Sequence, residues 1–130
     1  MATTAQTTTV KAFFEEYAEA LASYSPERIS QFYNVPVAIY SDQGIRMVKA
    51  SSETLAFWKE GIKQYEAQGI EKAIAKILTE EQLSEKTFVC KVLWRNFDRS
   101  DREVGTETNF YILTESNDQL KISGLIIMAR

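Results

Sequence analysis

The stretch Thr9-Val10-Lys11-Ala12-Phe13-Phe14-Glu15-Glu16-Tyr17-Ala18-Glu19-Ala20-Leu21-Ala22-Ser23 decides how the chain is read. Val10, Phe13, Phe14, Tyr17, Ala20 and Leu21 recur at helical spacing and form one apolar stripe. Lys11, Glu15, Glu16 and Glu19 lie largely off it. Tyr17 is the one residue of the stripe with a polar tip. Such a helix must bury its stripe against another layer, which the rest of the chain has to supply.

Downstream, Ser25-Pro26-Glu27 reads as an N-cap followed by proline at the first helical position. A short helix from Pro26 to Tyr33 would bury Ile29 and Phe32, and Pro36 blocks its continuation. Val35 to Ser41 is β-branched and aromatic enough for a strand. Asp42-Gln43-Gly44 supplies turn chemistry, and Ile45 to Lys49 reads as the hairpin partner. Ser51-Ser52-Glu53-Thr54 opens a second long helix that runs to Gln68, with Gly69 just past its end. Leu55, Phe57, Trp58, Ile62 and Tyr65 form its buried side. Ile70 to Leu83 has helical propensity but alternates imperfectly, and a clear sheet follows, so it reads as strand. Lys86 to Phe97, Glu103 to Thr114 and Leu120 to Ala129 complete an antiparallel meander, with Gly124 allowing a bend or bulge. The fold class is therefore α+β: a long first helix, a short helix, a β-hairpin, a helix, then a curved antiparallel sheet.

Composition narrows the chemistry. The 130 residues read as one domain, 1–130, with 1–8 as a flexible polar lead-in. A 45% hydrophobic, 25% charged chain has enough apolar surface to fold. A net charge of −3 without a Lys/Arg cluster gives no footprint for nucleic acid. The chain has no histidine, which removes His-based triads, imidazole bases and His-ligated zinc. Cys90 stands alone, so no internal disulfide or Cys-rich metal site is expected. The Asp98–Asp101 cluster also carries Arg99 and Arg102 and reads as a turn. No metal and no cofactor are expected. No apolar run approaches the ~20 residues of a membrane span, and the Thr-rich start, without a basic or an apolar region, does not read as a signal peptide. The expected setting is cytoplasmic.

From Phe13 to Tyr33 the aromatic helix, polar break and small helix ending in Phe32-Tyr33 resemble the opening of the NTF2-like superfamily. That superfamily includes nuclear transport factor 2, ketosteroid isomerase and the SnoaL-type polyketide cyclases. The likeness extends over nearly the whole chain in element order. It implies a cystatin-like cone, with the first helix lying across the concave sheet beside an apolar pocket. Similarity to ketosteroid isomerase implies that Tyr17 stands at the oxyanion-hole tyrosine, and Asp42 or Ser41 at the general base. Tyr33 and Trp58 would stand at supporting aromatics. Thr108 stands where the isomerase has a protonated aspartic acid, and a threonine hydroxyl is a weaker donor to a developing enolate.

The expected ligand pocket is thus Phe13, Tyr17, Tyr33, Trp58, Trp94, Thr108, Phe110 and Met128, with Tyr17 and Asp42 as candidate catalytic residues. The opposite sheet face, with Val89, Leu93, Arg95, Phe97, Glu107, Tyr111 and Leu113, reads as a homodimer interface. The leading expectation is binding of a small, largely apolar organic ligand. The alternatives are an acid–base enzyme of the SnoaL or isomerase type (proton transfer, cyclisation or hydration) and a non-catalytic assembly module.

Overall fold

The structure is a computed structural model that describes residues 9–128. The expected lead-in at 1–8, and Ala129 of the last strand, lie outside the described residues. Helix α1 is Val10–Ala22, α2 is Pro26–Ser30 and α3 is Ser51–Gln68. The strands are β1 Tyr33–Ser41, β2 Gly44–Val48, β3 Lys72–Ser84, β4 Thr87–Phe97, β5 Glu103–Ser116 and β6 Gln119–Ile127.

Local chemistry explains the helix ends. The Thr9 hydroxyl accepts from Ala12 N–H at 3.1 Å, which satisfies a free donor of α1. All six stripe residues of α1 are buried. Ser25 caps α2, accepting from Arg28 N–H at 3.2 Å. This helix ends earlier than expected, because Tyr33 already belongs to β1. At α3 the Glu53 carboxylate accepts from Lys49 N–H at 2.6 Å and Ala50 N–H at 3.3 Å. Gly69 ends α3 at φ 73°, a left-handed turn that glycine makes without strain.

The six strands form one open, curved sheet in the order β2-β1-β6-β5-β4-β3. The expected all-antiparallel arrangement needs one correction: β1 and β6 run parallel. The direction of β6 relative to β1 depends on the path of α3 between them, which no local turn signal specifies. A register shift between Ile112 and Leu113 places Ser123 as the extra residue of a bulge beside Gly124.

The second correction concerns β5. Cys90 pairs with Tyr111, Val92 with Asn109 and Trp94 with Glu107, and directly paired residues share a face. Trp94 is on the concave side, so Glu107, Asn109, Tyr111 and Leu113 are there too. Thr108, Phe110 and Ile112 turn outward. Both rows of β5 carry an aromatic and aliphatics, so alternation alone reads equally well either way. The core lies between α1 and the concave face, where Cys90, Val92, Leu113 and Ile122 are fully buried.

Candidate functional site

Tyr17 is 1% exposed on the inner side of α1. Its hydroxyl lies 2.6 Å from that of Tyr33 at the start of β1, and either oxygen can be the donor. On the sheet, Trp94 Nε1 donates to the Tyr111 hydroxyl at 2.8 Å, and Asn109 Nδ2 donates to it at 3.4 Å. The Tyr17 ring stands edge-on to Trp94 and Tyr111, with centroids 5.8 and 6.3 Å away. From α3, Trp58 stands between Tyr33 and Tyr65, each 6.3 Å centroid to centroid. The Trp58 indole N–H faces the Tyr33 hydroxyl without closing a well-formed hydrogen bond.

These groups line a cavity of about 330 Å³ between α1, α3 and the concave sheet. The volume is within the range of small-molecule sites. Tyr17, Tyr33, Trp94 and Tyr111 form its floor, while exposed Gln64, Gln68 and Thr106 reach its rim. Asn96 and Glu107 occupy one wall, where Asn96 Nδ2 donates to a Glu107 carboxylate oxygen at 3.4 Å.

The floor is built to stay neutral. Burial pushes Tyr17 well above the ordinary phenol value, reinforced by neighbouring phenols. Tyr33 and Tyr65 rise for the same first reason. Tyr111 is pushed up to about 12 by burial, and the Asn109 and Trp94 donors offset part of that rise. The phenols are therefore hydrogen-bond donors, not anions, at neutral pH. With both Tyr111 acceptor positions occupied by Trp94 and Asn109, its own proton is left to give.

Of the residues anticipated for the pocket, Tyr17, Tyr33, Trp58 and Trp94 meet in this cavity. Phe13 is buried beside Phe14 and Phe32 and borders a different surface cleft with Glu16 and Gln31. Thr108 and Phe110 are on the outer sheet face, because the pairing of β5 with β4 turns the other row inward. Met128 lies past the end of β6 and is 37% exposed. It borders a shallow cleft with Asp42 on the exposed β1–β2 turn. Tyr17 and Asp42 are therefore not brought together, and the carboxylate in the Tyr17 cavity is Glu107. Tyr65, Asn96, Glu107, Asn109 and Tyr111 were missed as pocket residues. The available signal was the row Glu107-Asn109-Tyr111 itself, with three polar tips at a period of two.

A larger groove of about 720 Å³ runs between α1 and β3, along Ala18, Ala22, Ala75 and Ile77. Its polar residues are Thr79 and charged side chains such as Lys11, Glu15 and Glu80, all exposed, so it lacks the converging buried donors of the smaller cavity. No group of three or more metal-ligating side chains occurs among the described residues. No described helix is long and apolar enough to cross a membrane.

Residues 6–129 match a family described as NTF2-like protein (DUF6841). None of the curated proteins matches the chain. Among solved structures, a domain of unknown function with a cystatin-like fold from Nostoc punctiforme superposes with a TM-score of 0.75 at 17% identity, covering 99% of this chain and 80% of that one. An NTF-2 like protein of unknown function from Shewanella oneidensis gives 0.70 at 18% identity, covering 90% and 93%. A putative calcium/calmodulin-dependent protein kinase type II association domain from Thiobacillus denitrificans gives 0.73 at 11% identity, covering 94% and 95%. At such identities the likeness is one of fold.

Proposed function

Because the chain belongs to an NTF2-like protein family (DUF6841), we propose that its cavity binds a small organic molecule. The observation that carries this reading is the donor set on an aromatic floor. Tyr111 has a proton to give, and the Tyr17–Tyr33 pair has one more, because only one of its two hydroxyl protons is used between them. A carbonyl, ether or hydroxyl oxygen at the inner end of the ligand would accept from them, while its body packs against Trp58 and Trp94. Burial of that body supplies most of the affinity and the phenols fix its orientation. The unpaired, buried Cys90 suits a reducing cytosolic setting.

Both tryptophans of the chain line the cavity, so intrinsic fluorescence reports its occupancy. Titration with small aromatic ketones is expected to give a saturable emission change. Crystals soaked with the same compound are expected to hold it against Tyr111. Binding only in the α1–β3 groove, or no binding at millimolar concentration, refutes this reading.

A second reading concerns assembly and rests on the outer sheet face. Val89, Leu93, Phe110 and Ile112 are only half-buried there, with Lys91 over the Phe110 ring at 5.7 Å. A second copy of the chain covering this face would bury them. The similar structure from Thiobacillus denitrificans is itself described as an association domain, so the fold is compatible with such a role.

A further inference from the structure

The floor of the cavity offers protons, but one wall offers the reverse. Asn96 is 2% exposed, and its Oδ1 is buried without a hydrogen-bond partner. Its amide orientation follows from its neighbour: the Nδ2 side meets a Glu107 oxygen at 3.4 Å, and the flipped amide would set two acceptors against each other. The open acceptor therefore belongs to the same wall as the carboxylate. A buried carbonyl oxygen left unmatched is costly, and a donor from a ligand would satisfy it.

Charge points the same way. Among the described residues, Glu107 is the one ionisable carboxylate lining the cavity, and neither lysine nor arginine lines it. Arg46 stands over the Phe57 ring at 5.4 Å, but it is exposed and outside the lining. The C-terminal part of α3 brings Gln64, Tyr65 and Gln68 to the cavity, and its last turn carries no basic residue. A helix C-terminus has partial negative charge, which a nearby cation offsets. Finally, Trp58, Tyr65 and Trp94 line the space, and aromatic rings attract cations most strongly where water is excluded.

Resting on the small-ligand reading of this cavity, we propose that it is selective for organic ammonium compounds, primary or secondary amines bound as cations. The ammonium lies against Glu107, giving an N–H bond to its carboxylate, and a small turn of the Asn96 side chain brings its buried oxygen to a second N–H. Its hydrocarbon or aromatic body extends toward Trp94 and the phenol floor. A carboxylate ligand is disfavoured at this wall, since Glu107 and the free Asn96 oxygen both repel it.

The test uses three probes that share a phenyl body and differ in charge: 2-phenylethylammonium, 2-phenylethanol and 3-phenylpropanoate. Each is titrated at neutral pH into the unaltered protein and followed by tryptophan emission. The cation is expected to bind at least about tenfold more tightly than the alcohol, and the anion most weakly. In Glu107→Gln, which keeps the side-chain shape, the cation-to-alcohol ratio is expected to fall toward one. The comparison in the unaltered protein stands even if that variant folds poorly. If the alcohol or the anion binds as tightly as the cation, the ammonium assignment is overturned while the cavity remains a ligand site. A ratio unchanged in a folded Glu107→Gln overturns the assignment in the same way. If none of the three perturbs the tryptophans at millimolar concentration, the assignment and the ligand reading fall together.

Discussion

Tyr17, Tyr33 and Tyr111 hold their hydroxyls where water cannot solvate a phenolate. Each has its pKa raised, with burial as the first cause. The sign of the consequence follows from proton counting. The unfolded chain loses its phenol protons near pH 10, whereas the folded chain keeps them to higher pH. Between those values the unfolded state binds fewer protons, so stability is complete below about pH 10 and declines above it. Each phenol held one pH unit high withdraws about 1.4 kcal/mol across that window. Melting curves followed by circular dichroism between pH 8 and pH 11.5 are expected to be flat at first, then to drop by roughly 4 °C or more. A melting temperature constant to pH 11 contradicts the burial of these hydroxyls. The stripe of α1 was legible because its six apolar residues share one helical face. The partner of Tyr17 was legible only as a neighbour: nothing in the order of residues says that two phenols 16 positions apart approach to 2.6 Å.

At the scale of elements, β6 bends where β5 allows it. Gly124 is paired with Ile112, next to the bulge at Ser123. A Cβ added at Gly124 would sit 2.8 Å from Ile112 Cδ1 and 3.2 Å from its Cβ. Gly124→Ala is therefore expected to cost on the order of 1–3 kcal/mol, read from urea unfolding. Ile112→Val removes the nearest atom and is expected to recover part of the loss, a coupling that a double-mutant cycle measures. Equal losses from Gly124→Ala with and without Ile112→Val refute the contact. The glycine was singled out by its place inside an alternating strand, which is a local signal. The face of β5 was not local. Thr108-Phe110-Ile112 and Asn109-Tyr111-Leu113 are both plausible inner rows, and the pairing of Cys90 with Tyr111 decides between them.

For the molecule as a whole, the concave face packs against α1, while Val89, Leu93, Phe110 and Ile112 on the outer face of β4 and β5 are only half-buried. If two copies meet there, sedimentation at micromolar concentration gives a dimer. A stable contact buries about 800 Å² per partner. Leu93→Asp is expected to give a monomer with unchanged far-UV circular dichroism, because that side chain points away from the core. A monomeric unaltered protein ends the interface proposal. The corrected register changes the surface itself: Glu107, Tyr111 and Leu113 leave it, and Thr108, Phe110 and Ile112 take their places.

Periodicity, caps and turn residues by themselves determined the elements and their order, an order that resembles the NTF2-like superfamily. Each of those signals spans only a few residues and depends on local backbone and side-chain preference. The tertiary structure alone decided which row of β5 faces inward, that β1 and β6 run parallel, and that Glu107 rather than Asp42 shares the cavity with Tyr17. Strand register and direction are settled by the burial of residues far apart in the chain. A slip of one residue exchanges every inward side chain for an outward one, so chemistry assigned along a strand becomes definite only when its neighbour is in place.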